Sequence, residues 1–545
     1  MIPVEKNKEY IVDITAVSSD GNGVCRIDGY AVFVPQAVTG DKIRVLIVKV
    51  NSGYGYGKLM EVIEPSPYRT NPVCEAYKRC GGCQMMHIDY DYQLKIKADT
   101  IESAMKRIGG FDDFNLSGMY GADSQYRYRN KMIFPVGTDK SGEVICGFYA
   151  QRSHDIMPLE DCFAGGEFNG KILAAIKQYM NENNVSAYDE KTHRGLIRRV
   201  FTRVSRSRGD VMAVISANGR NLPATDRLTE LIKKACDSVV SIILNINTKK
   251  TNTVLGKENV TLYGSDFITD TLCGIEFEIS PHSFFQINPE MTHKLYDKAI
   301  ELAQLSGHER VMDIYCGIGT ISLCAAKKAG HVIGVEIVEE AIKDAKKNAF
   351  ANNIPNTEFY ASSAEDIVPK LIAKGERPDV VILDPPRKGS DEKTLNAIVQ
   401  AAPERIVYVS CNPATLARDV KFLHERGYSL SCAYGFDMFP NTVHVETCVL
   451  LSKLKSSKSV TIDLDLDALE TTAAEVKATY GEIKEYILNK YGFKVSSLNI
   501  AQVKKECGII ERENFNKPSG KYRQPNCPKH KFNAIKEALG HFKMI

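Results

Sequence analysis

The chain has 545 residues, 43% hydrophobic and 25% charged, with a formal charge of +3. That mixture excludes a mostly disordered or collagen-like protein and supplies several hydrophobic cores, roughly 150 residues to a domain. The near-neutral balance neither demands nor excludes a polyanionic partner. There is no apolar run of about eighteen residues for a membrane span. The opening MIPVEKNKEY lacks an apolar leader, so a cytoplasmic, membrane-free protein is expected. Fifteen cysteines in such a chain point to metal binding or catalysis rather than a disulfide framework.

Residues 1–65 carry short β-branched runs (IVDITAVS, YAVFVP, DKIRVLIVKV, YGKLMEVIEP) between DGNG and VTGD turns, which predicts five short strands closed into a small oligonucleotide-binding-like barrel. A Pro-rich joint follows, then a cysteine cluster and a helix over about 91–108. Residues 66–280 read as a central α+β domain. From 281 to 455, the buried runs ERVMDIYC, HVIGVEIV, PDVVILDPP and RIVYVSCN alternate with helices, the pattern of a doubly wound, Rossmann-like α/β sheet. YSLSCAYGFDM and HVETCVLLSKL read as a closing pair of edge strands. After the polar KLKSSK, residues 459–545 form a mostly helical extension. It opens on the acidic TIDLDLDALE and then carries 14 Lys or Arg against 7 Asp or Glu from Glu475 onward. With Tyr480, Tyr486, Tyr491, Phe493 and Tyr522, this basic part suggests an auxiliary nucleic-acid-binding role, and an idle appendage is the competing reading. Cys507, Cys527 and His530 are too irregularly spaced for a metal site.

VMDIYCGIGTISLCAAKK runs strand, Gly turn, helix, but Ile321 stands where a dinucleotide loop has its third glycine. Glu336 ends the next strand, placed to accept from both hydroxyls of a ribose, and Asp313 ends the first. Acidic strand ends with no phosphate loop suit S-adenosylmethionine. Strands four and five end LDPPRKG and VSCNP and deliver their residues to the ligand-binding edge of the sheet. Amino-methylating enzymes place an aromatic residue after Pro-Pro; here it is Arg387, with Cys411 on the neighbouring strand. Carbon 5 of uracil is too weak a nucleophile to take a methyl directly, but a thiolate added at carbon 6 activates it, and a base must then remove the carbon 5 proton. Cys411 is the candidate nucleophile and Glu446 the candidate base. Cys316, Cys324, Cys432 and Cys448 read as core thiols.

Cys74, Cys80 and Cys83 form C-x5-C-G-G-C, with Cys162 the best fourth thiol and Cys146 its rival. Four thiolates suit zinc or a [4Fe-4S] cluster. Tyr126, Arg127, Tyr128, Arg129, Asn130 and Lys131 interleave cations and aromatics. Arg198, Arg199, Arg203, Arg206 and Arg208 form a second basic stretch that could track an RNA backbone.

DGNGV at 20–24 and YAVFVPQAVTGDKIRVLIVKV resemble the TRAM domain, an RNA-binding barrel. SFFQIN (283–288), DIYCGIGT (313–320), GVEIVEEAIKDAKKNA (334–349), DPPRKG (384–389), VSCNP (409–413) and HVE (444–446) resemble the RNA 5-methyluridine (uracil-C5) methyltransferases, in particular the bacterial 23S ribosomal RNA branch. The resemblance covers roughly residues 1–453. It implies that Gln286, Tyr315, Thr320, Glu336 and Asp384 contact the methyl donor, Thr320 less securely because some relatives have Asn there. It implies that Cys411 is the nucleophile and Glu446 the base. It also implies a [4Fe-4S] cluster on Cys74, Cys80, Cys83 and Cys162. The expected substrate is 23S rRNA, with transfer RNA or a non-catalytic RNA-binding iron-sulfur protein as alternatives. Nothing requires a dimer, and a monomer is expected.

Overall fold

The computed structural model describes residues 2–151, 153–454, 480–507, 527–542 and 544. Contacts divide the chain into two compact units, Met1–Lys455 and Ser456–Ile545.

The first sheet holds β1 (Glu9–Asp13), β2 (Ala16–Val17), β3 (Asn22–Ile27), β4 (Tyr30–Pro35), β5 (Lys42–Val50) and β6 (Tyr54–Glu64), in the order β1-β5-β6-β4-β3-β2. Only Ile14 and Thr15 separate β1 from β2, yet these strands lie at opposite edges. One bent run therefore closes the sheet into a barrel and removes its free edges. The expected five strands are six, because this run serves both edges. Inward residues alternate, with Val32, Val34, Ile43, Val45 and Ile47 fully buried.

Helix α1 (Tyr90–Ala104) continues into a π turn at Met105–Gly109, and the short β7 (Gly118–Tyr120) follows. Next come β8 (Lys131–Thr138), β9 (Val144–Tyr149), β10 (Ile156–Pro158), α2 (Phe168–Glu182), β11 (Ile197–Val204), β12 (Val211–Ala217), α3 (Thr225–Ala235), β13 (Val239–Ile246) and β14 (Glu258–Gly264). These strands form a seven-stranded sheet in the order β10-β9-β8-β11-β12-β13-β14. The two basic stretches expected on an RNA face are largely used inside this region. Arg198 donates to the carbonyls of Asn247 (2.7 Å), Lys249 (2.7 Å) and Thr251 (3.0 Å). Arg203 is 2% exposed and donates to the Ser283 carbonyl. Arg199 pairs with Glu190 and Arg208 with Glu276. Tyr128 and Asn130 are buried as well. A cation count along a strand cannot show which carbonyls the fold will turn toward it.

A hairpin, β15 (Ile268–Leu272) and β16 (Ile275–Ile279), leads to α4 (Pro289–Ala303). Then β17 (Arg310–Ile314), α5 (Thr320–Ala326), β18 (His331–Glu336), α6 (Glu339–Ala351), β19 (Thr357–Ala361), α7 (Ala364–Ala373), β20 (Val380–Leu383), α8 (Glu392–Ala401), β21 (Arg405–Ser410), α9 (Pro413–His424), β22 (Tyr428–Phe436) and β23 (Glu446–Lys453) complete the first unit. The sheet order is β19-β18-β17-β20-β21-β23-β22-β7. Period-two alternation feeds two cores. Val311, Ile382 and Val409 pack on one face with residues of α4 and α5, while Met312, Leu383 and Tyr408 pack on the other with residues of α7, α8 and α9. β22 and β23 do not form the closing edge as expected. β23 lies between β21 and β22, and β7, from more than 300 residues upstream, pairs with β22 at the edge. Three residues are too few to show as a strand in sequence.

α1 is tied to this sheet by a buried charge. Lys97 is 1% exposed and lies 2.5 Å from Asp437, with a second bond to the Phe439 carbonyl. Burial pushes the Lys97 ammonium below its ordinary range, and Asp437 opposes that.

In the second unit, α10 (Tyr480–Tyr491), α11 (Ser497–Glu506) and α12 (Lys529–His541) pack on Ile483, Ile487, Ile500, Val503, Ile535 and Leu539. TIDLDLDALE and Tyr522 lie outside the described residues. Among those described, no helix is long and apolar enough to cross a membrane.

Lys97→Ala leaves Asp437 buried without its cation and should lower stability by about 3–5 kcal/mol. Water screens the exposed Lys42–Glu64 pair, so breaking it should leave stability nearly unchanged. Urea unfolding of both alanine variants checks the difference.

Candidate active site

A cavity of about 710 Å³ opens at the carboxyl edge of the large sheet. Gln286, Tyr315, Thr320, Glu336, Asp384, Cys411 and Glu446 all line it. Local chemistry explains how each arrives. After β17 the chain turns through Tyr315 (φ 72°), Gly317 (φ 56°) and Gly319 (φ 82°) into α5. A Cβ on Gly317 would meet nothing within 4 Å, so this turn leaves open space beside it. Glu336 accepts from the backbone N–H of Gly317 (3.2 Å) and of Val338 (3.0 Å), which fixes its carboxylate at the end of β18. Thr320 meets the Tyr296 hydroxyl at 3.1 Å, and the Tyr315 hydroxyl meets Ser390 at 3.1 Å. Asn288 caps α4 with Pro289 in the first turn, which sets Gln286 just ahead of the helix.

Cys411 leaves β21 immediately before α9, where Asn412 is the N-cap and Pro413 opens the helix. Asn412 also donates to the Arg387 carbonyl at 3.1 Å, joining the VSCNP and DPPRKG turns. The antiparallel β21–β23 ladder pairs Val409 with Cys448 and Ser410 with Thr447. One further step sets Cys411 across from Glu446. Glu446 is 4% exposed, and Cys411 is half-buried.

The electrostatics are those of crowded acids in a dry site. Burial and the nearby Asp384 raise Glu446 to about 8. Burial and Asp313 raise Asp384 to about 7. Burial raises Asp313 to about 7 even though Ser322 donates to it at 2.5 Å, and its second oxygen has no partner. Burial, Glu446 and Asp384 push the Cys411 thiol up to about 11, opposed by Arg387. The site therefore has a proton-holding, acid-rich wall and one adjacent guanidinium.

Sequence reasoning gave no role in the donor site to Arg387, His444, Lys131 or Tyr296, which also line the cavity. Arg387 and His444 lie inside motifs already singled out, so neighbourhood was the available signal. Lys131, expected on an RNA face, lines this cavity instead, and burial lowers its ammonium to about 8.

Cys74, Cys80, Cys83 and Cys162 line a second cavity of about 70 Å³ with Met86, Tyr128, Met132, Phe148, Leu159 and Phe163. Arg127 holds the loop bearing Cys162, with bonds to Asp161 (2.7 and 2.6 Å), the Cys162 carbonyl and the Gly165 carbonyl (both 2.9 Å). Arg129 is drawn toward Cys162 and Cys83, and its buried Nε has no partner. Cys146 instead packs in the core of the seven-stranded sheet with Phe134 and Ile172.

The Glu446 shift makes a stability prediction. Between its ordinary value of 4.5 and about 8, the unfolded chain releases a proton that the folded chain keeps, so rising pH destabilises the fold. Glu446→Gln removes that effect. Without donor or RNA, the variant should gain on the wild type by about 2 kcal/mol between pH 6 and pH 8, with the gap levelling above that. Denaturant unfolding across this pH range is the check.

Comparison with known proteins identifies the family. Residues 224–454 match the tRNA (uracil-5-)-methyltransferase family model, and residues 3–60 match the TRAM domain. An RNA methyltransferase of Clostridium tetani is 46% identical over 451 residues, 83% of this chain and 98% of that protein. One from Halalkalibacterium halodurans is 44% identical over 449 residues, covering 82% and 98%. Among solved structures, the Pyrococcus abyssi tRNA (uracil-54, C5)-methyltransferase in complex with S-adenosyl-L-homocysteine aligns with a TM-score of 0.67 at 27% identity. It covers 81% of this chain and 99% of its own. The chain belongs to the RNA uracil-5-methyltransferase family and carries a TRAM domain at its N-terminal end.

Proposed function

We propose that this protein uses S-adenosylmethionine to form 5-methyluridine in 23S ribosomal RNA through a covalent Cys411–uracil adduct. The supporting observation is that two cavities meet at Cys411. The donor-sized cavity lies on one side. A groove of about 900 Å³ lies on the other, lined by Thr15–Asp20 of the barrel, by Lys95 and Arg107 of α1 and its π turn, and by Arg387, Cys411 and His444. The last three residues belong to both. A nucleotide lifted out of a stacked RNA and lying in the groove would present its base to Cys411 with the donor beyond.

When bound, S-adenosylmethionine supplies a methyl on a cationic sulfur. Asp384 lines that region and a nearby cation would favour its ionised form, Glu336 is fixed to accept from a ribose, and Tyr315 and Gln286 complete the walls. The Cys411 thiol would give its proton to water, and its sulfur would bond to carbon 6 of the uracil. The ring's 5,6 electron pair then moves to carbon 5, which would take the methyl as the S–CH3 bond breaks and its electrons return to the donor sulfur, leaving S-adenosylhomocysteine. Arg387 opposes the carboxyls that keep the thiol protonated. Glu446 then removes the carbon 5 proton, the 5,6 double bond re-forms, and the Cys411 thiolate leaves. A carboxyl raised to about 8 is a stronger base than an ordinary one and titrates near working pH.

The four-thiol cavity fits a [4Fe-4S] cluster better than one zinc. Thiolates on a single tetrahedral zinc stand about 3.8 Å apart, from bonds of about 2.3 Å. No three of these sulfurs lie within 4.8 Å of one another. Arg129, with its unpartnered buried Nε, supplies positive charge beside an anionic cluster. We assign the cluster to bracing the loops around Cys83 and Cys162, with no part in methyl transfer.

Transfer RNA is the competing substrate. The Pyrococcus abyssi tRNA enzyme is matched over 99% of its length while covering 81% of this chain, and that likeness to a tRNA enzyme favours this second reading.

Mapping 5-methyluridine in ribosomal and transfer RNA, with and without the gene, should show loss from 23S rRNA alone. Loss confined to transfer RNA would replace the substrate. Anaerobically purified protein should be brown and hold about four irons per chain. Colourless protein with one zinc in the four-thiol cavity would overturn the cluster.

A further inference from the structure

A second cluster of metal-ligating side chains lies outside the donor cavity, the RNA groove and the four-thiol cavity. It joins two elements, the β15–β16 hairpin and α4. Cys273 sits in the two-residue turn of the hairpin. His293 and Asp297 stand one helical turn apart on α4. One ligand atom from each of Cys273, His293 and Asp297 falls within 4.8 Å of the others. The Cys273 sulfur is 3.9 Å from the Asp297 carboxylate, and His293 Nδ1 is 2.8 Å from its other oxygen. Cys324, on the neighbouring α5, is 5% exposed. Lys327 lies close by and donates to the Cys273 carbonyl at 3.2 Å.

Two features are hard to explain as packing. Cys273 (φ 51°) and Gly274 (φ 68°) both occupy the left-handed region, as a type I′ hairpin turn requires. The first position of such a turn favours Asn, Asp or Gly, and a thiol there carries a conformational cost. A core thiol also gains nothing from reaching a helix face where His293 and Asp297 are exposed.

We propose that Cys273, His293 and Asp297 bind one divalent metal, with water completing the tetrahedron and zinc the best match to a thiolate, an imidazole and a carboxylate. The metal clamps the hairpin turn onto α4. That helix reaches the donor cavity, since Tyr296 of α4 bonds Thr320 at the start of α5. The site thus stiffens the wall of the donor cavity from behind and takes no part in the chemistry.

The test uses the full-length, reduced, iron-loaded protein. After chelation and dialysis, zinc is added back and counted by elemental analysis alongside iron. Cobalt(II) is titrated in parallel and followed by its tetrahedral thiolate bands in difference spectra. The expected result is one zinc per chain with iron unchanged, and a thermal midpoint raised by zinc. The His293→Ala/Asp297→Ala variant alters only exposed positions. It should weaken binding by more than ~100-fold, since even outer-shell partners of a metal are worth 10–100-fold. Cys411→Ala should bind zinc as the wild type does, which separates this site from the proposed reaction. Absence of stoichiometric zinc in the wild type, equal binding by the His293/Asp297 variant, or a Cys273–Cys324 disulfide that persists under reduction would each overturn the proposal.

Discussion

The antiparallel register between β21 and β23 is the constraint on which the catalytic reading rests. It brings Cys411, at the mouth of one strand, beside Glu446, at the start of another, although 34 residues of chain lie between them. Strand side chains alternate faces, so a slip of one residue would send both groups to the wrong side. The β22–β23 pairing, with β7 added at the edge, holds that register, and the buried Lys97–Asp437 pair ties α1 to the segment that follows β22. Structure far from this pair thus fixes the distance between the proposed nucleophile and the proposed base.

The same arrangement is electrostatically costly. Asp313, Asp384 and Glu446 are all buried and all raised, and the thiol they flank is raised with them. The fold tolerates this because strongly packed strands carry the acids. Val380–Leu383 is buried at every position, and Ile406–Ser410 likewise. Such strain is expected where a site is complementary to a cationic ligand that arrives later. A donor with positive sulfur lowers the cost of ionising these acids when it binds, and the guanidinium of Arg387 acts in the same direction on the thiol.

Much of this was legible in sequence, for physical reasons that differ by element. β17, β20 and β21 read as strands because buried parallel strands are continuous apolar runs. The turns after them read as ligand loops because Gly, Pro and acidic residues interrupt those runs in order. β7 was not legible, since its existence depends on an edge supplied by β22. The arginines at 127, 129, 198 and 203 were misread for a related reason: a strand's charge count does not reveal whether carbonyls or thiols inside the fold will receive those cations. The Cys273, His293 and Asp297 cluster shows no spacing motif because two separate elements build it. Only the motifs around Arg387 and His444 could have led to those two residues.

The central claim is that the Cys411 sulfur adds to the uracil ring. RNA carrying 5-fluorouridine at the target position tests it most directly, because fluorine at carbon 5 cannot leave as a proton and the adduct cannot resolve. With S-adenosylmethionine present, intact-mass analysis should find the wild-type protein covalently joined to methylated RNA and Cys411→Ala free of it. An adduct of equal yield on Cys411→Ala would contradict the account.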